Sequence, residues 1–383
     1  MRYRRSIAAL VGASVFLVFC TVLRRVELFE SRQLVFTKRP WEFNRPLEMK
    51  VRGRKDKQAI ASQNAEKERS DRRLSDMQKI LHYNSDPLPT RSAFGTTGNT
   101  TVCEGIDHIA CVPKFKHFET RIRHAKKYKT VACLMQKSMS TILQAIMCFL
   151  HDEAAFRKAG RVLSRESYAF RFCTGKNEIN HYKGNTLHRG PLDIDESWLH
   201  LAVVRDPLDR FLSGFVDKCL RKPRGKYFCN GCRSNMTCFL EREYKRIQSQ
   251  LRTGKLTHDF DDRHFYPQNW RCDFRWHFKH YRLLHYRSQP NATDDFLAQL
   301  LPLLQKQGVP EESLQFIRDQ LKSGRTVHST IDSAARQFFE RRLRSSPYLM
   351  EHVIRLFYED FRLFNYEIPD VRFDEEEEED KPQ

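Results

Sequence analysis

Apolar residues in this chain gather into short runs and amphipathic stretches separated by polar segments. Trp198 to Val204 is rich in Leu and Val, the pattern of a strand covered on both faces of a sheet. Arg205 and Asp206 end that run, and Pro207 suits the first position of a helix. Leu208, Phe211, Leu212 and Phe215 then recur at helical spacing, with Arg210 and Ser213 on another face. Earlier, Tyr128 to Gln136 reads as a strand and Thr141 to Leu150 as a helix with one apolar face. Further on, Asn235 to Leu251 predicts a helix and Tyr281 to Tyr286 another buried strand. Leu349 to Phe364 predicts a last helix, carried by Val353, Leu356, Phe357 and Phe361. Strands alternating with helices predict an α/β domain.

The ends of the chain follow a different pattern. Ile7 to Leu23 is an unbroken, mostly apolar run between Arg2, Arg4 and Arg5 on one side and Arg24 and Arg25 on the other. No small-residue cleavage site follows it, so it predicts an uncleaved signal anchor at the short end of spanning length. Residues 24 to 98 are polar and charged with little apolar periodicity, as expected of a stem. The expected organisation is a cytoplasmic tail (1–6), an anchor helix (7–23), a stem (24–98), a globular domain (99–370) and an acidic disordered tail (371–383). That arrangement places the bulk of the chain in a lumen.

Composition sharpens this picture. The net charge of +19 survives the acidic run Asp374–Asp380, which predicts a polyanionic partner. Nucleic acid suits the charge but not the anchor, whereas an anionic glycan suits both. Asn99, Asn235 and Asn291 head glycosylation sequons. Of eleven cysteines, Cys20 lies in the anchor and ten remain, which read as disulfides in an oxidising lumen. Cys103 to Cys111 is expected to close a local loop. The cluster Cys219, Cys229, Cys232 and Cys238 suggests a stapled loop, with Cys229-x-x-Cys232 also compatible with zinc. Cys133 and Cys148 sit in apolar runs and are expected as buried free thiols.

Two segments carry the chemistry. A basic residue, Arg205, stands at the carboxyl end of the buried strand with the Ser213 hydroxyl on the helix that follows. In open α/β sheets ligands bind at that end, and a helix N-terminus favours an anion. Between the earlier strand and its helix lie Lys137, Ser138, Met139 and Ser140, a turn of a kind that cradles phosphate or sulfate on backbone N–H groups.

The pattern R-D-P-x-x-R-x-x-S-x-F, as Arg205, Asp206, Pro207, Arg210, Ser213 and Phe215, resembles the 3′-phosphate-binding motif of sulfotransferases. These enzymes use 3′-phosphoadenosine 5′-phosphosulfate (PAPS). The similarity is to the Golgi carbohydrate sulfotransferases that include the chondroitin 4-O-sulfotransferases, in a nematode-type branch. Lys137 and Thr141 match that family's 5′-phosphosulfate loop, although Gln136 and Met139 stand where Pro and Gly are usual. His264, Pro267 and Cys272 match its H-x-x-P-x-x-x-x-C segment.

The resemblance covers about residues 120–370 and implies the P-loop-like sulfotransferase fold, a central parallel sheet flanked by helices. It implies that Lys137, Ser138, Ser140, Thr141, Arg205, Arg210 and Ser213 hold PAPS, without a metal. The implied activity is transfer of a sulfuryl group to a glycan hydroxyl, chondroitin or a related glycosaminoglycan being the first expectation. His264 is the candidate general base, with Asp261 or Asp262 orienting its ring; His151 lies too far along its helix. A phosphotransferase is excluded, because the chain has no G-x-x-x-x-G-K-[ST]. The alternative is a membrane-tethered glycan-binding protein that has lost catalysis, which Met139 keeps open.

Overall fold

The computed structural model describes residues 70–71, 74–96, 102–179, 194, 197–221, 228–289, 291–323 and 333–372. The expected anchor, most of the stem and the acidic run lie outside the described residues. Among the described residues no helix is long and apolar enough to cross a membrane.

Five strands form one sheet: β1 (Ile122–Ala125), β2 (Thr130–Cys133), β3 (Glu178–Ile179), β4 (Leu199–Arg205) and β5 (Tyr281–Tyr286), in the order β3-β1-β2-β4-β5. The sheet is mixed rather than parallel throughout. β2, β4 and β5 run parallel, whereas β1 is antiparallel to both β2 and β3. The physical cause lies in connection length. Lys126–Lys129 is a tight turn in which Lys129 takes a left-handed φ of 41°, so β1 returns beside β2 as a hairpin. Only a single 3-10 turn, Lys126–Tyr128, separates the two strands, too short for the crossover a parallel pair needs.

The helices are α1 (Ser140–His151), α2 (Glu153–Lys158), α3 (Pro207–Phe215), α4 (Met236–Thr253), the short α5 (Asp262–Phe265) and α6 (Phe274–His277), α7 (Ala292–Lys306), α8 (Glu311–Lys322), α9 (Ala334–Arg344) and α10 (Pro347–Leu363). β4 is buried along its whole length and alternates between two cores. Leu201 and Val203 pack with α1, α7 and α8, while Ala202 and Val204 pack with Cys272, Phe274 and Phe364. β5, at the edge, is only half covered: Tyr281 and Leu284 are buried and Arg282 is exposed. A third core joins α3, α4, α9 and α10 through Phe211, Phe215, Phe239, Phe339 and Phe357.

Packing extends further toward the N-terminus than a stem ending at 98 implies. Ile80 is fully buried, Asp76 pairs with Arg221 at 3.1 Å, and Asn84 donates to the Ser234 carbonyl at 2.9 Å. Ser92 and Thr96 donate to the buried Glu351 carboxylate, which also pairs with Arg355 at 2.8 Å. The apolar residues that make this possible are few and spread among charges, so no periodicity announces them.

All ten described cysteines are paired: Cys103–Cys111, Cys133–Cys272, Cys148–Cys173, Cys219–Cys229 and Cys232–Cys238. The local loop and the stapled cluster match expectation. Cys229 and Cys232 bond to different partners, so that pair offers no thiolates to zinc. Cys133 and Cys148 are not free thiols. Their partners are distant in sequence, and an apolar run accommodates a buried disulfide as readily as a thiol.

Candidate functional site: an anion cradle at the ends of two parallel strands

β2 and β4 are neighbours, and both end at the same edge of the sheet. The turn after β2 leads into α1 through two residues in the left-handed region, Lys137 (φ 71°) and Met139 (φ 53°). Met139 thus adopts the backbone that favours glycine, at a cost in strain. No side chain caps α1, so its first N–H groups have no intrahelical partner. After β4, Asp206 accepts from the Asp209 N–H at 2.8 Å and Pro207 opens α3, as its sequence predicts.

The two segments meet directly. Arg205 Nη1 donates to the Lys137 carbonyl at 3.0 Å, across 68 positions of sequence. Arg205 Nη2 donates to Ser288, while its Nε is buried without a hydrogen bond. Burial holds this guanidinium below its ordinary range. Ser213 is buried one helix turn away from the Asp209 carboxylate, which lies 3.9 Å from Arg205 Nε.

Lys137 has a partner that sequence reasoning missed. Beyond Phe215, α3 widens into a π-helical turn, Val216–Arg221. Asp217 on that turn lies 2.5 Å from Lys137 Nζ and 2.9 Å from Lys218 Nζ. Burial lowers Lys137 to about 8, with Asp217 pushing it up and Lys218 and Arg205 pushing it down. No motif marks Asp217, which the sequence places four residues after Ser213 and the structure brings to this lysine.

A second missed residue, Gln268, is the hub. Its Oε1 accepts from the Arg205 N–H and from Ser138 Oγ, both at 3.0 Å, and its Nε2 donates to the Arg205 carbonyl at 2.8 Å. Asp360 on α10 anchors the hub by accepting from the Gln268 and Asn269 N–H groups at 2.7 and 2.8 Å. Ser138 is therefore committed to the scaffold, with 1% of its surface exposed. Arg210 also turns inward: it donates to the Gln136 carbonyl at 3.1 Å and the His264 carbonyl at 3.3 Å. Ser140 and Thr141 remain half-buried at the head of α1.

The structure brings His264 to this cradle. The Cys133–Cys272 disulfide ties its segment to the end of β2, and Gly214 lets α3 approach it closely. A Cβ at Gly214 would fall 2.9 Å from the Phe265 ring. His264 Nδ1 lies 2.6 Å from the Phe260 carbonyl, so Nδ1–H donates and Nε2 keeps its lone pair. Burial, with Lys137 and Lys218 adding to it, holds the imidazole well below its ordinary value and therefore neutral. The expected orienting role of Asp261 or Asp262 fails. Asp261 accepts from the Asn230 N–H and Asp262 from Thr257 at 2.7 Å, both turned toward α4. His151 stays apart, its ring 5.4 Å from that of His124.

This edge of the sheet thus gathers a helix N-terminus, two basic side chains and a neutral imidazole. The sulfotransferase family profile matches residues 120–367, and the chain belongs to the sulfotransferase family. Three relatives come from Caenorhabditis elegans. One, named only as an uncharacterized protein, is 39% identical over 296 residues, covering 77% of this chain and 81% of its own. The putative sulfotransferase vep-2 is 35% identical over 272 residues, covering 70% and 83%. The carbohydrate sulfotransferase chst-1 is 30% identical over 260 residues, covering 67% and 78%. No solved structure matches the chain.

Proposed function

We propose that this protein transfers the sulfuryl group of PAPS to a hydroxyl of an anionic glycan, with chondroitin or a related glycosaminoglycan the first candidate. The direct bond from Arg205 to the Lys137 carbonyl is the observation that carries the proposal. It supports one ligand bridging both motifs, since each supplies cationic or N–H groups at the same sheet edge. The residues fit such a nucleotide. α1 is uncapped, Arg205 Nε is buried without a hydrogen-bond partner, and the Ser213 hydroxyl makes no hydrogen bond among the described residues.

PAPS would supply the activated sulfuryl group. Lys137 and the first N–H groups of α1, with Thr141, would hold its phosphosulfate; Arg205 and Ser213 would hold the 3′-phosphate. Arg210, Ser138 and Gln268 keep the two loops in register. His264 Nε2 would take the proton of the acceptor hydroxyl, a task suited to a neutral imidazole. The name of chst-1 supports a carbohydrate acceptor. The apolar run Ile7–Leu23, the sequons and the paired cysteines support a single-pass type II protein of the Golgi membrane with a lumenal domain. Asn291 is exposed and free of any capping bond, so it can carry a glycan.

Transfer of radiolabelled sulfate from PAPS to a panel of desulfated glycosaminoglycans tests the activity. Arg205→Ala should weaken binding of 3′,5′-ADP by about 1.5–3 kcal/mol, and of 5′-AMP far less. Equal losses for the two nucleotides would refute the 3′-phosphate assignment.

A further inference from the structure

Two segments beside the cradle lie next to each other and form a ledge whose exposed side chains no step above uses. Residues 114–121 run alongside 263–278, joined by backbone bonds such as Phe118 N–H to the Trp270 carbonyl and by side-chain contacts. Phe115 meets Phe278 with ring centres 6.2 Å apart, His117 pairs with Asp273 at 3.0 Å, and Glu119 pairs with Arg263 at 3.3 Å. Lys114, Lys116, His117, Arg275 and Trp276 are exposed, Trp276 over 54% of its surface, with the Arg275 guanidinium 4.8 Å from its ring. The carboxylates here, Glu119 and Asp273, are already paired, Glu119 with both Arg121 and Arg263. Surplus cations and an uncovered indole thus share one surface.

The ledge joins the cradle at two points. Arg263 is the residue before His264, and the Arg121 carbonyl accepts from the Leu134 N–H at 2.8 Å, at the start of the loop that carries Lys137. We propose that this ledge binds the acceptor, a polysaccharide bearing carboxylate or sulfate groups, and leads one of its hydroxyls toward His264. Lysine and arginine would meet the anionic groups, and Trp276 offers a flat apolar face to a pyranose ring. A polymer gains from several weak contacts along a track, so affinity should rise with chain length and fall with salt. The role as an acceptor site rests on the transferase proposed above.

The test uses the full chain in detergent, with chondroitin polysaccharide as the probe. Binding is measured at low and physiological salt, beside binding of 3′,5′-ADP and of phosphatidylserine vesicles. The double variant Lys116→Ala/Arg275→Ala should weaken chondroitin binding about tenfold, the loss of roughly one charge-assisted contact. Trp276→Ala should weaken it in the same direction with less salt dependence, and both variants should bind 3′,5′-ADP normally. The charge-matched control Lys158→Ala/Lys322→Ala, on exposed positions of α2 and α8, should bind chondroitin like the parent. Equal weakening by ledge and control variants, or none by the ledge variants, overturns the proposal. So does a parent chain that binds the vesicles but not chondroitin. Loss of 3′,5′-ADP binding by the parent chain would refute the nucleotide assignment while leaving a ledge-dependent chondroitin site standing.

Discussion

Replacing Asp217 by Asn removes a charge from a buried pair while keeping its shape. Lys137 Nζ lies 2.5 Å from Asp217 Oδ2, with side chains 8% and 3% exposed. The lysine sits at about 8 because burial outweighs the upward push of Asp217. Its other charged neighbours, Lys218 and Arg205, only lower it further. An opposite charge at this range moves a pKa by about 1–3 units, so in the variant Lys137 should titrate that much lower. At pH 7.5 the parent lysine is about three-quarters charged; a fall of two units would leave roughly 3% charged.

A Lys137 that must be cationic to offset charge on the leaving oxygen gives a rate that falls on the alkaline side. The variant's alkaline limb should therefore move to lower pH by about 1–3 units, with activity largely kept near pH 5.5. Initial rates of sulfate transfer from pH 5.5 to 9, at saturating donor, read the limb. The 13Cε resonance of Lys137, assigned with Lys137→Arg, reads its titration without reference to turnover. A limb unmoved, or a uniform fall at every pH, would refute the reasoning, since a purely structural lesion carries no pH signature.

His264→Gln should leave 3′,5′-ADP affinity unchanged and lower turnover by about 10²–10⁴; near-normal turnover with a raised acceptor KM would make His264 a binding residue. Because burial and neighbouring cations keep His264 neutral, the parent rate should not fall on its account between pH 7 and 6, as a pH profile will show. Glu243, on α4 and 1% exposed, is raised to about 7, chiefly by burial, with Asp261 and Asp262 adding to it. Its folded value lies above its unfolded one, so its contribution is fully present below about pH 4.3 and is lost as pH rises through about 7, by about 4 kcal/mol in all. Urea unfolding at pH 5 and pH 8 should show that loss, and Glu243→Gln should flatten it; an equal slope in both proteins would count against it.

The position of the cradle was legible because it depends on local order. A Leu- and Val-rich strand ending in Arg205, then Asp206 and Pro207, is a complete instruction for a strand, a cap and a helix start. The same holds for β2, the turn at Lys137 to Ser140, and α1. Met139 was the doubtful point, and its left-handed φ shows the backbone of that turn persisting without glycine. Arg210 shows where local order stops being informative. Its place on a helix face follows from spacing, but whether that face meets ligand or protein depends on what packs there, here the carbonyls of Gln136 and His264.

The sequence by itself determined the alternation of elements, the turns after β2 and β4 and the cysteine count, since these follow from periodicity, dihedral preference and residue chemistry within a few neighbours. Only the tertiary structure decided which cysteines pair, that β1 reverses the parallel order at one side of the sheet, and that Gln268, Asp217 and the Phe260 carbonyl complete the site. The Gln268–Arg205, Asp217–Lys137 and Cys133–Cys272 contacts join residues far apart in the chain. Such contacts are fixed by the burial of a shared core and by the need to satisfy every polar group enclosed in it.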